Sequence, residues 1–318
     1  MTKSRNFYSI TMLEKRESEN IHKTLVLIGC PGVGKSYLPG VRMDMESLWY
    51  YHQTPKGGGW VPEEIVVLWA PTRREVLETI SAVKGDFLRV YFCGHGYAEL
   101  AFEEPAADGG LVDVRKLVLK GDEVVRDLEL VNRQVERQEI ICDCCRKRPG
   151  EKISGIPEKL EEVPFTEEEF QLARRLFNRL IWFSPKGLLI IHSTGDGKAA
   201  YDTEEGGQFT VALLENALRW MPQVEGIPVG VNGLLKMVER QLGRAKAPQR
   251  PEVVLMEGNI TVPFALGTLW PGNGEFTIPP GRDADRAAGD GTVVAHQGQA
   301  LLALGGILFG AWLLNELF

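Results

Sequence analysis

The 318-residue sequence predicts an α/β domain with a largely parallel sheet covered by helices on both faces. Three observations predict it. Short apolar runs recur between turn residues, amphipathic stretches separate them, and a composition 44% hydrophobic and 25% charged can bury one substantial core. The net charge of −7, from 36 Lys and Arg against 43 Asp and Glu, leaves no basic surplus to neutralise phosphates, so nucleic acid is not an expected partner. An acidic surface attracts cationic substrates instead.

Residues 1–20 are polar and contain no apolar run of the secretory-signal kind. Thr24-Leu-Val-Leu-Ile28 reads as a buried strand, Met43–Tyr51 as a helix, and Glu64–Leu68 as a second strand. Thr72 is placed to cap a helix running to about Val83, and Phe87–Phe92 is the next strand. A helix is expected around Val124–Arg137, followed by the strand Glu139–Asp143, which runs straight into Cys144-Cys145. Further on come a helix at Glu167–Ile181, a strand at Gly187–Ile191, a helix at Gly207–Trp220 and a last strand within Glu252–Ala265. Residues 21–267 form the predicted domain, 268–298 a Gly- and Pro-rich linker, and 299–318 a hydrophobic C-terminal helix. The charge-free stretch Ala300–Leu314 contains Gly306 and Gly310 in G-x-x-x-G spacing; as a helix it rises only about 22 Å. Two readings stand for it, a tail anchor with the domain facing the cytosol, or a helix packed on the domain or a partner.

Gly29-Cys-Pro-Gly-Val-Gly34-Lys35-Ser36 matches the phosphate-binding pattern G-x-x-x-x-G-K-[ST] and follows a strand. A phosphate cradle needs a helix to begin at its Lys-Ser, and Pro39-Gly40 arrives too soon to allow one. The segment is expected to be a Gly/Pro turn, with a nucleotide-binding switch as the rival function.

The five cysteines are odd in number, and Cys142, Cys144 and Cys145 crowd into four positions, which suits thiol chemistry in a reducing compartment rather than a disulfide framework. A zinc site is not expected there, because C-x-C-C lacks the usual ligand spacing. Tyr91-Phe-Cys-Gly-His95-Gly96 sets a histidine just past a strand, and fifty residues later Asp143-Cys144-Cys145 ends another. That is the spacing of a histidine general base and a cysteine nucleophile brought together by adjacent strands. Gly96 offers an unobstructed backbone N–H to a tetrahedral oxyanion. Strand alternation turns Cys144 away from the face shared by Asp143 and Cys145, which makes Cys145 the expected nucleophile. His22, His52, His192 and His296 have no catalytic context; His192 is expected to be structural.

These blocks resemble the caspase/metacaspase family of cysteine peptidases over roughly residues 21–267. Leu25–Gly29, Tyr37-Leu-Pro-Gly40 and Asp44 are similar to the family's first strand and the loop and helix after it. Tyr91–Gly96 resembles its His-Gly turn, Ile141–Cys145 its Asp-Cys-Cys block, and Gly206–Thr210 the block after the next strand. Arg146-Lys147-Arg148 stands where metacaspases usually carry His-Ser-Gly, and Cys93 where they usually carry serine. The resemblance implies an endopeptidase cleaving protein substrates after Arg or Lys through a His95/Cys145 dyad. It needs no cofactor, Ca²⁺ is an expected activator, and the biological setting by analogy is regulated cell death or defence. Asp143 would line the pocket for the basic residue, with Asp44 either beside it or as a plain helix-capping residue. Residues 146–186 correspond to the family's inter-subunit linker, whose Lys147, Arg148, Lys152, Lys159, Arg174 and Arg175 are either self-cleavage points or part of a solvated insertion. A catalytically inactive caspase-like adaptor is the remaining alternative.

Overall fold

The computed structural model describes residues 21–102, 111–144, 164–195, 200–203, 205–220, 228–244 and 249–267. Within them lies a six-stranded sheet in the order β11-β8-β7-β3-β1-β2. Its strands are β1 (Lys23–Cys30), β2 (Ile65–Trp69), β3 (Phe87–Gly94), β7 (Arg137–Cys144), β8 (Gly187–His192) and β11 (Glu252–Gly258). Five run parallel and β11 alone runs antiparallel, against β8. β1, β3 and β7 are buried almost throughout because both faces of the sheet are covered.

The two faces are covered differently. Helices α1 (Gly40–Gln53), α3 (Glu167–Phe183), α4 (Gln208–Leu218) and α5 (Val231–Leu242) lie on one face, and their apolar sides meet Leu25, Leu27, Tyr91, Ile141 and Ile191. The opposite face carries one helix, α2 (Arg73–Ala82), and a three-stranded sheet of β4 (Gly96–Phe102), β5 (Leu111–Val118) and β6 (Val124–Arg126). The expectation of helices on both faces is thus met on the second face by one helix and a meander. Helix α2 begins where its sequence predicts: the Thr72 hydroxyl accepts from Glu75 N–H (3.3 Å) and Glu75 Oε2 accepts from Thr72 N–H (2.7 Å), a capping box. Thr166 and Glu169 repeat it at the start of α3.

The helix expected at Val124–Arg137 is absent. Val124–Arg126 pairs with β5, a single 3₁₀ turn covers Asp127–Leu130, and the chain then turns toward β7. The apolar spacing of that segment is helical, but its polar groups find better partners elsewhere. The Asn132 amide donates to Ile80 O (2.7 Å) and Val83 O (2.8 Å), closing the C-terminus of α2, while Gln138 bonds back to Asn132 and Val135. Two other elements went unread in the sequence, the β4–β5 hairpin and α5.

Helix α3 also trims the predicted linker. Phe177 and Ile181 are wholly buried, and the Arg174 guanidinium grips Glu64 at 2.6 and 2.7 Å, so its C-terminal half belongs to the core. Residues 146–163, with Lys147, Arg148, Lys152 and Lys159, lie outside the described residues, as do 268–318 with the predicted C-terminal helix. Among the described residues no helix is long and apolar enough to cross a membrane.

At the amino ends of the strands the core is charged. Arg89, fully buried, donates to Glu139 Oε2 at 2.6 and 2.8 Å and to Pro263 O at 2.8 Å. Its remaining nitrogen meets His52 Nε2 at 3.2 Å. Burial and the Arg89 charge hold His52 down at about 3, so the imidazole stays neutral and accepts from the guanidinium.

Candidate active site

The sheet reverses its winding between β1 and β3, and the carboxyl ends of β1, β3 and β7 form the crevice where such sheets bind ligands. Cys30 lies beside Gly94 and Gly94 beside Cys144, so the loops leaving the three strands start within about 10 Å of one another.

The loop leaving β1 is the phosphate-cradle look-alike. A 3₁₀ turn over Gly34–Ser36 is its only helical structure, and the helix proper starts four residues later at Gly40, after Pro39. The loop supports the histidine instead. His95 Nε2 lies 2.5 Å from Ser36 O, and its ring rests on Gly32, where a Cβ would come within 3.0 Å of Cδ2, Nε2 and Ser36 O. Gly32 has φ +75°, a conformation that itself favours glycine. A carbonyl can only accept, so Nε2 carries the hydrogen and Nδ1 is left as the basic nitrogen.

Gly96 opens β4 opposite Leu117, in a pair that exchanges no hydrogen bonds, since the flanking bond runs from Val118 N–H to His95 O at 2.9 Å. The Gly96 N–H is therefore directed away from β5. Cys145 lies outside the described residues; β7 is described to Cys144. Cys144 is 3% exposed and packs in the cluster under the second face, whereas Asp143 points to the first, as alternation predicts. Cys142 and Cys93 are also buried, and burial pushes the Cys93 thiol well up, with the Asp44 and Asp143 charges adding to it, so the Cys93 thiol is not activated.

On the first face three carboxylates converge on one small pocket of about 20 Å³, lined by Leu38, Val41, Asp44, Asp143, Tyr201 and Asp202. Asp44, on the first turns of α1, accepts the Gly207 N–H with both oxygens at 2.9 and 3.0 Å. Asp143 Oδ2 accepts from Thr210 N–H (3.1 Å) and Thr210 Oγ1 (2.6 Å), and the same hydroxyl, having spent its one hydrogen, accepts from Tyr91 (3.1 Å). Asp202, on β9 (Asp202–Thr203), accepts from Gly40 N–H at 3.2 Å. β9 pairs with β10 (Gly206–Gly207), whose second glycine is obligatory: a Cβ at Gly207 would stand 2.5 Å from Asp143 Oδ2 and 3.0 Å from Asp44 Oδ2.

Crowding and burial both disfavour three negative charges here. Burial raises Asp44 well above the ordinary carboxylate range and Asp143 adds to it, with Gly207 N–H opposing. Burial likewise raises Asp143 against the hydrogen bonds of Thr210 and Ser193. Asp202 is raised to about 6 by burial, opposed by Gly40 N–H, with the Asp143 charge adding. Among the described residues none of the three is ion-paired to a Lys or Arg.

The structure thus brings His95 and Gly96 to one crevice and Asp143 and Asp44 into one pocket beneath it. It adds three features unread in the sequence: the Ser36 carbonyl, Thr210 and Asp202. Asp202 could not have been found locally, because Tyr201-Asp-Thr203 carries no motif and only the β9–β10 turn delivers it. The Asp44 carboxylate bonds Gly207 rather than the N-terminus of its own helix. His192 is structural as expected, with Nε2 3.0 Å from Asp127 Oδ2 in the interior. Among the described residues no group of ligating side chains could hold a metal ion.

No family model matches this chain, and no curated protein matches it. Among solved structures, protein GSU0716 from Geobacter sulfurreducens is similar at 19% identity, with a TM-score of 0.48 over 77% of this chain and 100% of its own. Caspase-1 from Spodoptera frugiperda is similar at 14% identity, with a TM-score of 0.48 over 79% of this chain and 92% of its own.

Proposed function

We propose that the chain is a caspase-like cysteine endopeptidase that cleaves proteins after Arg or Lys, with Cys145 as nucleophile and His95 as general base and acid. The observation that carries the basic preference is the pocket: Asp44, Asp143 and Asp202 are gathered together and, among the described residues, none of them is ion-paired to a Lys or Arg. A guanidinium or ammonium entering it supplies the missing charge and donates charge-assisted hydrogen bonds to the carboxylates. An aspartate side chain is repelled. The present 20 Å³ holds about one water, so a basic side chain is admitted only as Tyr201 and its neighbours give way.

The dyad rests on register. Gly94 and Cys144 are partners at the ends of β3 and β7, and His95 and Cys145 follow them directly in the sequence, consecutive Cα atoms being 3.8 Å apart. With Nε2 donating to Ser36 O, Nδ1 removes the thiol proton, and the thiolate attacks the scissile carbonyl. The N–H groups of Gly96 and Cys145 hold the resulting oxyanion. Collapse breaks the C–N bond, His95 delivers its proton to the leaving amine, and a thioester remains; His95 then deprotonates the water that hydrolyses it. This chemistry uses no cofactor, and Ca²⁺ enters only as the activator that the metacaspase resemblance implies. A tail anchor at 299–318, holding the domain at the cytosolic side of a membrane, belongs to the same proposal and rests on sequence alone.

The test is a panel of fluorogenic peptides with Arg, Lys or Asp before the scissile bond, run on the wild type and Cys145→Ala with and without Ca²⁺. Hydrolysis of the Arg and Lys peptides alone, lost in Cys145→Ala, is expected; no hydrolysis under any condition refutes the enzyme reading.

A further inference from the structure

The loop that follows β1 carries more than the Ser36 carbonyl. It is closed on itself by Leu38 N–H to Pro31 O (2.8 Å), Ser36 N–H to Val33 O (3.2 Å), Tyr37 N–H to Gly34 O (3.3 Å) and Ser36 Oγ to Val33 O (2.9 Å). Those bonds occupy its backbone polar groups and fix its shape, and two apolar side chains are left outside. Val33 is 82% exposed, the highest value of any large apolar side chain among the described residues, and Tyr37 is 48% exposed. Apolar residues scattered singly over a surface need no account, but this pair is not scattered. Each directly follows a residue that touches His95. Val33 follows Gly32, on which the ring rests, and Tyr37 follows Ser36, whose carbonyl accepts from Nε2.

On the endopeptidase reading given above, we propose that Val33 and Tyr37 form the subsite for the residue after the scissile bond and select an apolar side chain there. In that reaction His95 hands its proton to the leaving nitrogen, which therefore comes within about 3 Å of the ring. The residue that owns this nitrogen is the part of the substrate brought up to the imidazole, and the loop is what the imidazole rests on. The other side of the bond is directed elsewhere: the basic side chain before it enters the carboxylate pocket, whose wall the same loop reaches at Leu38. The loop thus spans the bond, with Leu38 at the pocket and Val33 beside the histidine. An apolar side chain laid on Val33 and the Tyr37 ring takes apolar surface out of water, and a loop already fixed in shape loses little freedom in binding it. Lys35, exposed between them and the one charged side chain from Pro31 to Leu38, opposes a basic residue at the same place.

The test is a series of internally quenched peptides that differ only in the residue after a fixed Arg, which is Leu, Phe, Gly, Ser or Lys. They are hydrolysed by the full-length wild type, by the double variant Val33→Ser with Tyr37→Ser, and by Phe183→Ser. Phe183 serves as the control: it is also exposed, but it closes α3 just before the amino end of β8, at the opposite end of the strands. In the wild type and Phe183→Ser, kcat/KM for the Leu and Phe peptides should exceed that for Gly, Ser and Lys by about tenfold, and in the double variant by less than about threefold. Each ratio is taken within one variant, so a general loss of activity or stability does not move it. A flat profile in a wild type that cleaves after Arg overturns the subsite and leaves the peptidase reading standing, and so does an apolar preference that the double variant keeps. No hydrolysis of any peptide removes the peptidase reading and the subsite with it.

Discussion

Replacing Asp202 by Asn tests the electrostatic description of the pocket without touching the reacting groups. A carboxylate held at about 6 binds a proton in the folded chain between roughly pH 4 and 6 that the unfolded chain has already released. The folded state is therefore favoured at low pH, and that advantage is lost as pH rises through about 6. The displacement from 3.8 to about 6 is worth at most about 3 kcal/mol at about 1.4 kcal/mol per pH unit. Partial exposure of Asp202 brings the usable figure to about 1–2 kcal/mol. The Asn carbonyl oxygen can still accept from Gly40 N–H, so little is lost in exchange. Urea denaturation should find Asp202→Asn about 1–2 kcal/mol more stable than wild type at pH 7.5, with most of the gain gone by about pH 4.5. The same variant should lose about tenfold in kcat/KM on Arg peptides, equivalent to about 1.4 kcal/mol of cation binding. A variant no more stable than wild type at pH 7.5, or equally shifted at both pH values, would refute the argument that burial, with the Asp143 charge adding, holds the Asp202 carboxyl up.

Other perturbations probe other parts. Gly32→Ala forces a Cβ against the His95 ring at a left-handed backbone position, and peptide hydrolysis should fall about a hundredfold through a displaced imidazole while global stability drops by only about 1–2 kcal/mol. Arg89→Met leaves Glu139 buried and unpaired and should cost about 3–5 kcal/mol in urea denaturation; Arg89→Met with Glu139→Leu should recover most of it. Lys23, pressed between Trp60 and Phe177, is lowered to about 7, chiefly by burial. The unfolded chain holds more protons than the folded one above that value, so wild-type stability should rise by about 2 kcal/mol from pH 7 to 9, and Lys23→Met should flatten that slope.

Much of the scaffold was legible in advance because its signals are local. Thr72 and Glu75 announce a helix start wherever they fall three apart before an apolar run, and β1 and β3 are largely apolar stretches with few other uses. The segment Val124–Arg137 misled for the opposite reason. Its apolar spacing suits a helix, but Asn132 and Gln138 are claimed by the end of α2 and by the turn into β7, partners that no local window contains. The β4–β5 hairpin was hidden likewise, its strands gaining their pairing only from each other.

The sequence by itself determined the strand ends, the cap positions, the glycine-flanked His95 and the alternation that separates Asp143 from Cys144, since each depends on neighbours within a few residues. It also ruled out a helix at Lys35-Ser36, because Pro39 acts locally. The tertiary structure alone decided what that loop does, which is to offer Ser36 O to His95 from another strand. It alone gathered Asp202 and Thr210 around Asp143, from segments 59 and 67 residues further along the chain. Low-dielectric crowding of charges is a property of packed space, and nothing in the order of residues records it until β9 and β10 bring the carboxylates together.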